Sequence, residues 1–553
     1  MKTIWQEARA LFAQKAYRIC MIFTAIMTYG TLILHPTVGI DDTAWKVYYI
    51  DGVSAVMGRW VLHVINEIFP IATYNPYIVE GSFMCLFVLS VTMWVILFKR
   101  IIGNRVSDWT YIVFGCAFLA SPITSEVITY YLSNGISIAF GFTALSVWFL
   151  WSSFEEKGKN RFLNIIYSAL WLWLALGCYE SFIIVYMVAI CLLYLFKRGL
   201  DGKEAVASIP KVIVNTFIAG VSCILWRSVW IELFIVLFSL QSQVGILQFR
   251  GITDILLRVF EEGNLKELEN IFKAFFIKYY VNASVYKPIT LLVLGYGFIG
   301  LWALVRTIKK KDIILLLAAF GAMIVPWLLP ILEGYTTYYR TSQYIVLVNA
   351  AMVFAVALLF DKLRLKKWGR VAGAFLAVVL LYNEMHEMNY WLKLDQDKYE
   401  DACRTADMVA YEIIKDYDET LPICVVGKYS VPSALASRSY CPLWSKKYMI
   451  AETIINIIDK DMLASYLGPH GYRFAETPLL SILDWGTWAF FNTDVELVKF
   501  WESRGFDFEE DRDIEHYDYA RELLKQGMPS WPEEGSIIQM DGYIIVNLDN
   551  SGR

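Results

Sequence analysis

Apolar residues recur along this chain in long runs, near 17–34, 77–98, 110–122, 133–151, 162–178, 181–196, 212–231, 288–305, 313–330, 343–360 and 370–385. A helix needs roughly 20 apolar residues to cross the hydrocarbon core of a bilayer. The pattern therefore predicts a polytopic α-helical membrane protein with about eleven transmembrane helices. The least regular stretches are 110–151, where runs are short, and the run that holds Arg227 and Glu232. The first run lacks a small-residue cleavage site and leads into further apolar segments, so it reads as an anchor and not as a removable signal.

The polar positions between the runs are not equivalent. Lys2, Arg9, Lys15 and Arg18 are followed on alternate loops by Lys99, Arg100 and Arg105, by Lys157, Lys159 and Arg161, and by Lys197, Arg198 and Lys203. Arg306, Lys309, Lys310 and Lys311, then Lys362, Arg364, Lys366, Lys367 and Arg370, continue the alternation. Short basic loops stay on the cytoplasmic side, which puts the amino terminus inside. The loops 35–76, 123–132, 179–181, 232–287 and 331–342, and the chain after about 386, are expected to face outward.

Within 241–285, apolar positions (Ile255, Leu256, Val259, Phe260, Phe272, Phe275, Phe276) alternate with charges at helical spacing. That arrangement suits amphipathic helices lying in the membrane interface. Beyond Tyr390 the composition becomes that of a water-soluble unit, with a helical segment near 400–417, a strand at Ile423–Val426, a turn-rich stretch at Pro529–Gly535 and a strand at Gly542–Asn547. The predicted organisation is a membrane domain over 1–385 and a small extracytoplasmic α/β domain over 386–553.

Composition supports this class: 57% hydrophobic and 18% charged residues, with a mean hydropathy of +0.46, are too apolar for a water-soluble domain. A net charge of −4 argues against a nucleic-acid partner. Cys20, Cys85, Cys116, Cys178, Cys191 and Cys223 lie in apolar stretches as small hydrophobes, while Cys403, Cys424 and Cys441 fall in the tail, where one disulfide is conceivable.

Candidate chemistry gathers on the outward side. Asp41 and Asp42 directly follow the first span, in His35-Pro36-Thr37-Val38-Gly39-Ile40-Asp41-Asp42, and Gly58-Arg59-Trp60 comes within about 20 residues. A partly desolvated aspartate can act as general base toward a sugar hydroxyl; equally, either residue can cap a helix starting near Thr43. Arg59 can hold a phosphate or stack on a sugar, or pair with Asp51 or a lipid headgroup. Glu126, after Ser121-Pro122, and Glu180, in Cys178-Tyr179-Glu180-Ser181, place single carboxylates at similar depth, where isolated acids are costly and need a partner. Either they line one shared polar cavity or they end separate lipid-facing helices. In Glu333-Gly334-Tyr335-Thr336-Thr337-Tyr338-Tyr339-Arg340 the aromatics can form an interfacial belt, but Arg340 opens a helix on the outer side against the basic-loop trend, which a bound phosphate would explain. Arg227 and Lys278 are weaker candidates for the same duty.

Other patterns carry less. Asp395-Gln396-Asp397 spells the D-x-D used by soluble sugar-nucleotide enzymes to hold a metal, yet it follows a transmembrane run on the side away from cellular nucleotides. His386-Glu387 lacks the second histidine of a zinc-protease helix, and no phosphate-cradling glycine loop is present. No cofactor is assigned, and a divalent metal stays open.

Asp41-Asp42 after the first span, Gly58-Arg59-Trp60, Ser121-Pro122 with Glu126, Tyr179-Glu180 and Arg340 together resemble the serotype-converting, GtrII-type glucosyltransferases that modify bacterial surface polysaccharides, within the GT-C superfamily. The resemblance covers about 10–385; the family's second motif often continues with Asn and then Arg or Asp, where this chain reads Val127-Ile128-Thr129-Tyr130-Tyr131. It implies a GT-C-like membrane fold in the bacterial cytoplasmic membrane, a polyprenyl-phosphate-linked sugar as donor, a surface glycan as acceptor and an aspartate of the first outward loop as base. On this reading Arg340, with Arg59, Lys278 or Arg227, neutralises the phosphate, while Glu126, Glu180, Trp60 and Tyr338 hold the sugar. The synthase and flippase of the lipid-linked sugar would be neighbours in the cell. The rival classes are a lipid-sugar flippase, which would show repeated halves, and a polysaccharide polymerase or ligase.

Overall fold

The computed structural model describes residues 2–35, 37, 58–68, 76–103, 105–128, 133–237, 287–330, 341–360, 366–427, 429, 500–502, 504–509 and 511–549, with six single positions between 269 and 279. The amino-terminal helices are α1 (Lys2–Ala13) and α2 (Lys15–Leu34), followed by α3 (Trp60–Ile68), α4 (Pro76–Ile102) and α5 (Asp108–Ala120). A 3₁₀ turn at Pro122–Thr124 leads into the short α6 (Ser125–Ile128), then α7 (Ser133–Glu155), α8 (Gly158–Cys178), α9 (Phe182–Asp201) and α10 (Ile209–Leu237). Next come α11 (Lys287–Lys310), α12 (Ile314–Ile324), α13 (Tyr344–Phe360) and the 51-residue α14 (Lys366–Asp416).

The helix ends follow local chemistry. Pro36 lies just beyond α2, and Pro122 just beyond α5, where proline disfavours a helical conformation in the residue before it. α9 stops at Gly202, whose φ of 105° only glycine adopts cheaply.

Seven of these helices are long and apolar enough to cross a membrane. The other four expected runs lie on α5, on the apolar stretches Ile314–Leu328 and Tyr344–Leu359, and on the first part of α14, so eleven spans exceed what length and composition establish. Helices α4, α7 and α9 bury most of their apolar window, while α10 buries 17% and exposes Phe217, Leu225, Trp226 and Val229. An apolar face without protein cover is what a lipid-solvated helix presents. The bundle core is aromatic, with Phe87, Trp94, Phe98, Phe118, Phe140 and Phe354 in mutual contact. Three loops expected to share one side do meet: Lys99 pairs with Asp108 (2.7 Å), Arg105 with Asp201 (2.8 Å) and Arg198 with Asp312 (2.7 Å).

A second hydrophobic cluster forms beyond the bundle. Ala402, Ala406, Val409 and Ile413 of α14 pack against β1 (Ile423–Val426), Trp501 and the last strand. The sheet also contains β2 (Ile537–Gln539) and β3 (Ile544–Asn547), with α15 (Ile514–Lys525) beside it. Its order is β1-β3-β2; β1 runs parallel to β3 from Ile423↔Ile544, and β2 antiparallel from Ile537↔Val546. Both strands expected from the sequence are present. The expected span at 370–385 and helix at 400–417 are one element, because neither glycine nor proline occurs between Gly373 and Asp416 to break it. Eight cysteines are free, Cys403 and Cys424 included, and Cys441 lies outside the described residues. Most of the expected interfacial stretch 241–285 lies outside them too; Phe275 and Tyr279 within it are buried.

Candidate active site

Helix α8 ends at Cys178, and Tyr179, in extended conformation, turns the chain through Glu180 and Ser181 into α9. This tight reversal leaves Glu180 at the amino-terminal end of α9, where the unpaired N–H groups and the helix dipole favour a negative charge. Arg59 meets it from the segment that enters α3. Its Nε donates to Glu180 Oε2 (3.1 Å) and its Nη2 to Oε1 (2.8 Å), a two-pronged contact that fixes the guanidinium plane. The Tyr179 ring covers that guanidinium at 4.4 Å. Arg59 is 8% exposed. Burial raises the Glu180 carboxyl, but Arg59, with help from Arg227, outweighs it and holds the group below the usual carboxylate range.

Arg227 approaches from α10. Gly58 has a φ of 86°, and a Cβ there would lie 2.8 Å from the Arg227 guanidinium carbon, so glycine is needed for both the backbone turn and the space. Gly177 plays the matching part in the last turn of α8: a Cβ would sit 2.6 Å from Val61 Cγ2 and 2.8 Å from Trp60 Nε1. The two glycines let α3, α8 and α10 close around one spot.

Aromatic rings complete it. The Trp60 ring centroid lies 4.8 Å from Trp173 and 5.4 Å from Trp230, and these two are 5.6 Å apart. Phe234 borders Trp60 at 6.1 Å and Trp230 at 6.2 Å. Arg227, Trp230 and Phe234 share one stripe of α10, being three and four residues apart in turn. Sequence reasoning missed Trp173, Trp230 and Phe234; for the last two, that spacing was the available signal.

Four expected site residues, Arg59, Trp60, Glu180 and Arg227, are thus brought together. Glu126 lies in α6, its side chain outside the described residues, and Asp41, Asp42, Lys278, Tyr338 and Arg340 lie outside them altogether. The Ser121-Pro122 turn that precedes α6 is held from two sides: Tyr29 Oη donates to the Leu119 carbonyl (2.5 Å), and Asn349 Nδ2 donates to Ser121 Oγ (3.3 Å).

The D-x-D stretch has structural partners. Thr37 Oγ1 donates to Asp395 (2.7 Å), and Asp397 pairs with Lys393 (2.8 Å). Burial raises the Asp395 carboxyl, with Thr37 and Lys398 pulling the other way. Asn389, 3.1 Å from Thr31 Oγ1 and 2.6 Å from the Met27 carbonyl, adds to this seam between α14 and α2. No group of three or more metal-ligating side chains occurs among the described residues.

Among the described residues, this arrangement brings two guanidinium groups and a carboxylate together beside indoles at a helix junction. The family model for glucosyl transferase GtrII matches residues 30–380, which contain every member of this cluster. The chain belongs to the GtrII glucosyltransferase family. Membership makes it a glycosyltransferase, and its long apolar helices make it a membrane protein. Neither the curated proteins nor the solved structures contain a match.

Proposed function

We propose that this GtrII-family protein moves a glucosyl group from a polyprenyl-phosphate carrier to a surface glycan at the outer face of the bacterial cytoplasmic membrane. The chain crosses the membrane many times, starts inside and ends in an extracytoplasmic domain. The observation that carries this reading is the convergence of Arg59, Glu180 and Arg227 beside the Trp60 ring. Guanidinium groups suit the charged oxygens of a sugar–phosphate–prenol diester, to which they can offer paired N–H donors. Glu180 orients Arg59, so the donor phosphate meets a preformed cation instead of a flexible one.

In the proposed step, Asp41 or Asp42 takes the proton of an acceptor hydroxyl as its oxygen attacks the anomeric carbon from the face opposite the phosphate. The new C–O bond forms as the anomeric carbon–phosphate oxygen bond breaks. The prenyl phosphate leaves with the bonding pair, its added charge met by Arg59 and Arg227 and by Arg340 and Lys278. Configuration at the anomeric carbon inverts. Glu126 and Tyr338 contact the sugar in this scheme.

The test substitutes Asp41→Asn and Asp42→Asn singly in purified protein and follows transfer from labelled polyprenyl-phosphate-glucose to acceptor glycan. At least one variant should lose transfer by about 10²-fold or more while still binding donor. Full activity in both removes the base assignment.

A further inference from the structure

The indole cluster holds something the ion pair does not require. The Nε1–H groups of Trp60, Trp173 and Trp230 are all buried, and none has a hydrogen-bond partner among the described residues. A buried donor left unpaired costs about 1–3 kcal/mol, and three in one cluster would be an expensive accident. The rings pack on one another, Trp60 tilted at 39° to Trp173 and Trp173 perpendicular to Trp230 at 83°, so the packing fixes where each ring edge lies. A ring edge is the positive part of the aromatic quadrupole and, in an indole, carries the N–H. An edge of that kind suits an anion or an oxygen lone pair, and the guanidinium groups of Arg59 and Arg227 belong to the same cluster.

We propose that Trp173 and Trp230, together with Trp60, form a hydrogen-bond-donor subsite for the phosphate oxygens of a prenyl-phosphate lipid. The proposal rests on the donor class named above but adds Trp173 and Trp230, to which that reading gives no role. The phosphate needs several donors because its oxygens lose water on entering a site walled by aromatic carbon. Guanidinium groups supply the charge, and the indoles supply neutral donors whose position the ring packing sets. The exposed apolar face of α10, with Phe217, Leu225 and Trp226, runs from this cluster along the same helix and offers the prenyl chain a surface.

A phosphate can come from a prenyl-phosphate carrier or from a bulk phospholipid headgroup, and binding measurements separate the two. Purified protein in phosphatidylcholine nanodiscs is titrated with sugar-free polyprenyl phosphate, and separately with phosphatidylglycerol, following tryptophan emission. Trp173→Phe and Trp230→Phe keep an aromatic ring and remove the N–H together with the pyrrole part of the indole. Each should weaken polyprenyl-phosphate binding about tenfold, as expected for a hydrogen bond to a charged acceptor, while circular dichroism stays unchanged. Phosphatidylglycerol should give no saturable response. Equal binding by both Phe variants and the wild type overturns the subsite, as does equally tight binding of phosphatidylglycerol. Wild-type protein that binds no polyprenyl phosphate at all would instead count against the donor class itself.

Discussion

Replacing Arg59 by Ala removes both hydrogen bonds to Glu180 and the cation over Tyr179. Breaking a buried ion pair by deleting one partner costs about 3–5 kcal/mol, because a desolvated charge is stranded. Here the Glu180 side chain keeps 25% of its exposure and Arg227 stays within electrostatic reach, so the expected loss falls to roughly 2–3 kcal/mol. Glu180→Gln keeps the shape and one acceptor and should cost roughly 1–2 kcal/mol. If the two side chains act mainly through each other, the double variant loses less than the sum, with a coupling of at least about 1 kcal/mol. The assay is unfolding of the four proteins in mixed micelles under SDS titration. Strictly additive losses would refute the claim that Glu180 exists to hold Arg59.

Because Glu180 titrates below its unfolded value, its stabilisation is complete above about pH 5 and is lost as pH falls through the lower folded value. The acid limb of a stability profile should therefore flatten in Glu180→Gln, and an unchanged limb contradicts the assignment. Gly177→Ala pushes a methyl group against Val61 and Trp60, which should cost about 1–3 kcal/mol and displace α3 enough to reduce transfer; unchanged activity and melting would mean that α3 does not need this close approach. Glu384 is buried, and both its carboxylate oxygens lack partners among the described residues. Glu384→Met should raise stability by about 1–3 kcal/mol in the same titration, and a loss would show that the carboxyl is used.

The membrane helices were legible because hydrophobic run length is a strong local signal, and α2, α4 and α7–α10 fall where the runs lie. Four members of the candidate cluster were legible because charge is costly beside a bilayer: Arg59, Glu180 and Arg227 stood out by being where charge is rare, and Trp60 came with Arg59. Trp173 and Trp230 were not, since tryptophan beside an apolar helix is ordinary and only the close approach at Gly58 and Gly177 shows which indoles meet. Asp395 looked like half of a metal motif because local spelling cannot reveal a partner 358 positions away at Thr37. The continuity of α14 was hidden by a change from apolar to polar composition midway along a helix that nothing breaks.

The central claim is transfer of one sugar from a prenyl phosphate. Wild-type protein incubated with labelled polyprenyl-phosphate-glucose and acceptor glycan, with the product's anomeric configuration read by NMR, tests it most directly. The account predicts a single added glucosyl residue of inverted configuration and release of free polyprenyl phosphate. Movement of the intact donor across the bilayer without chemistry, or transfer of a preassembled glycan block, would contradict it.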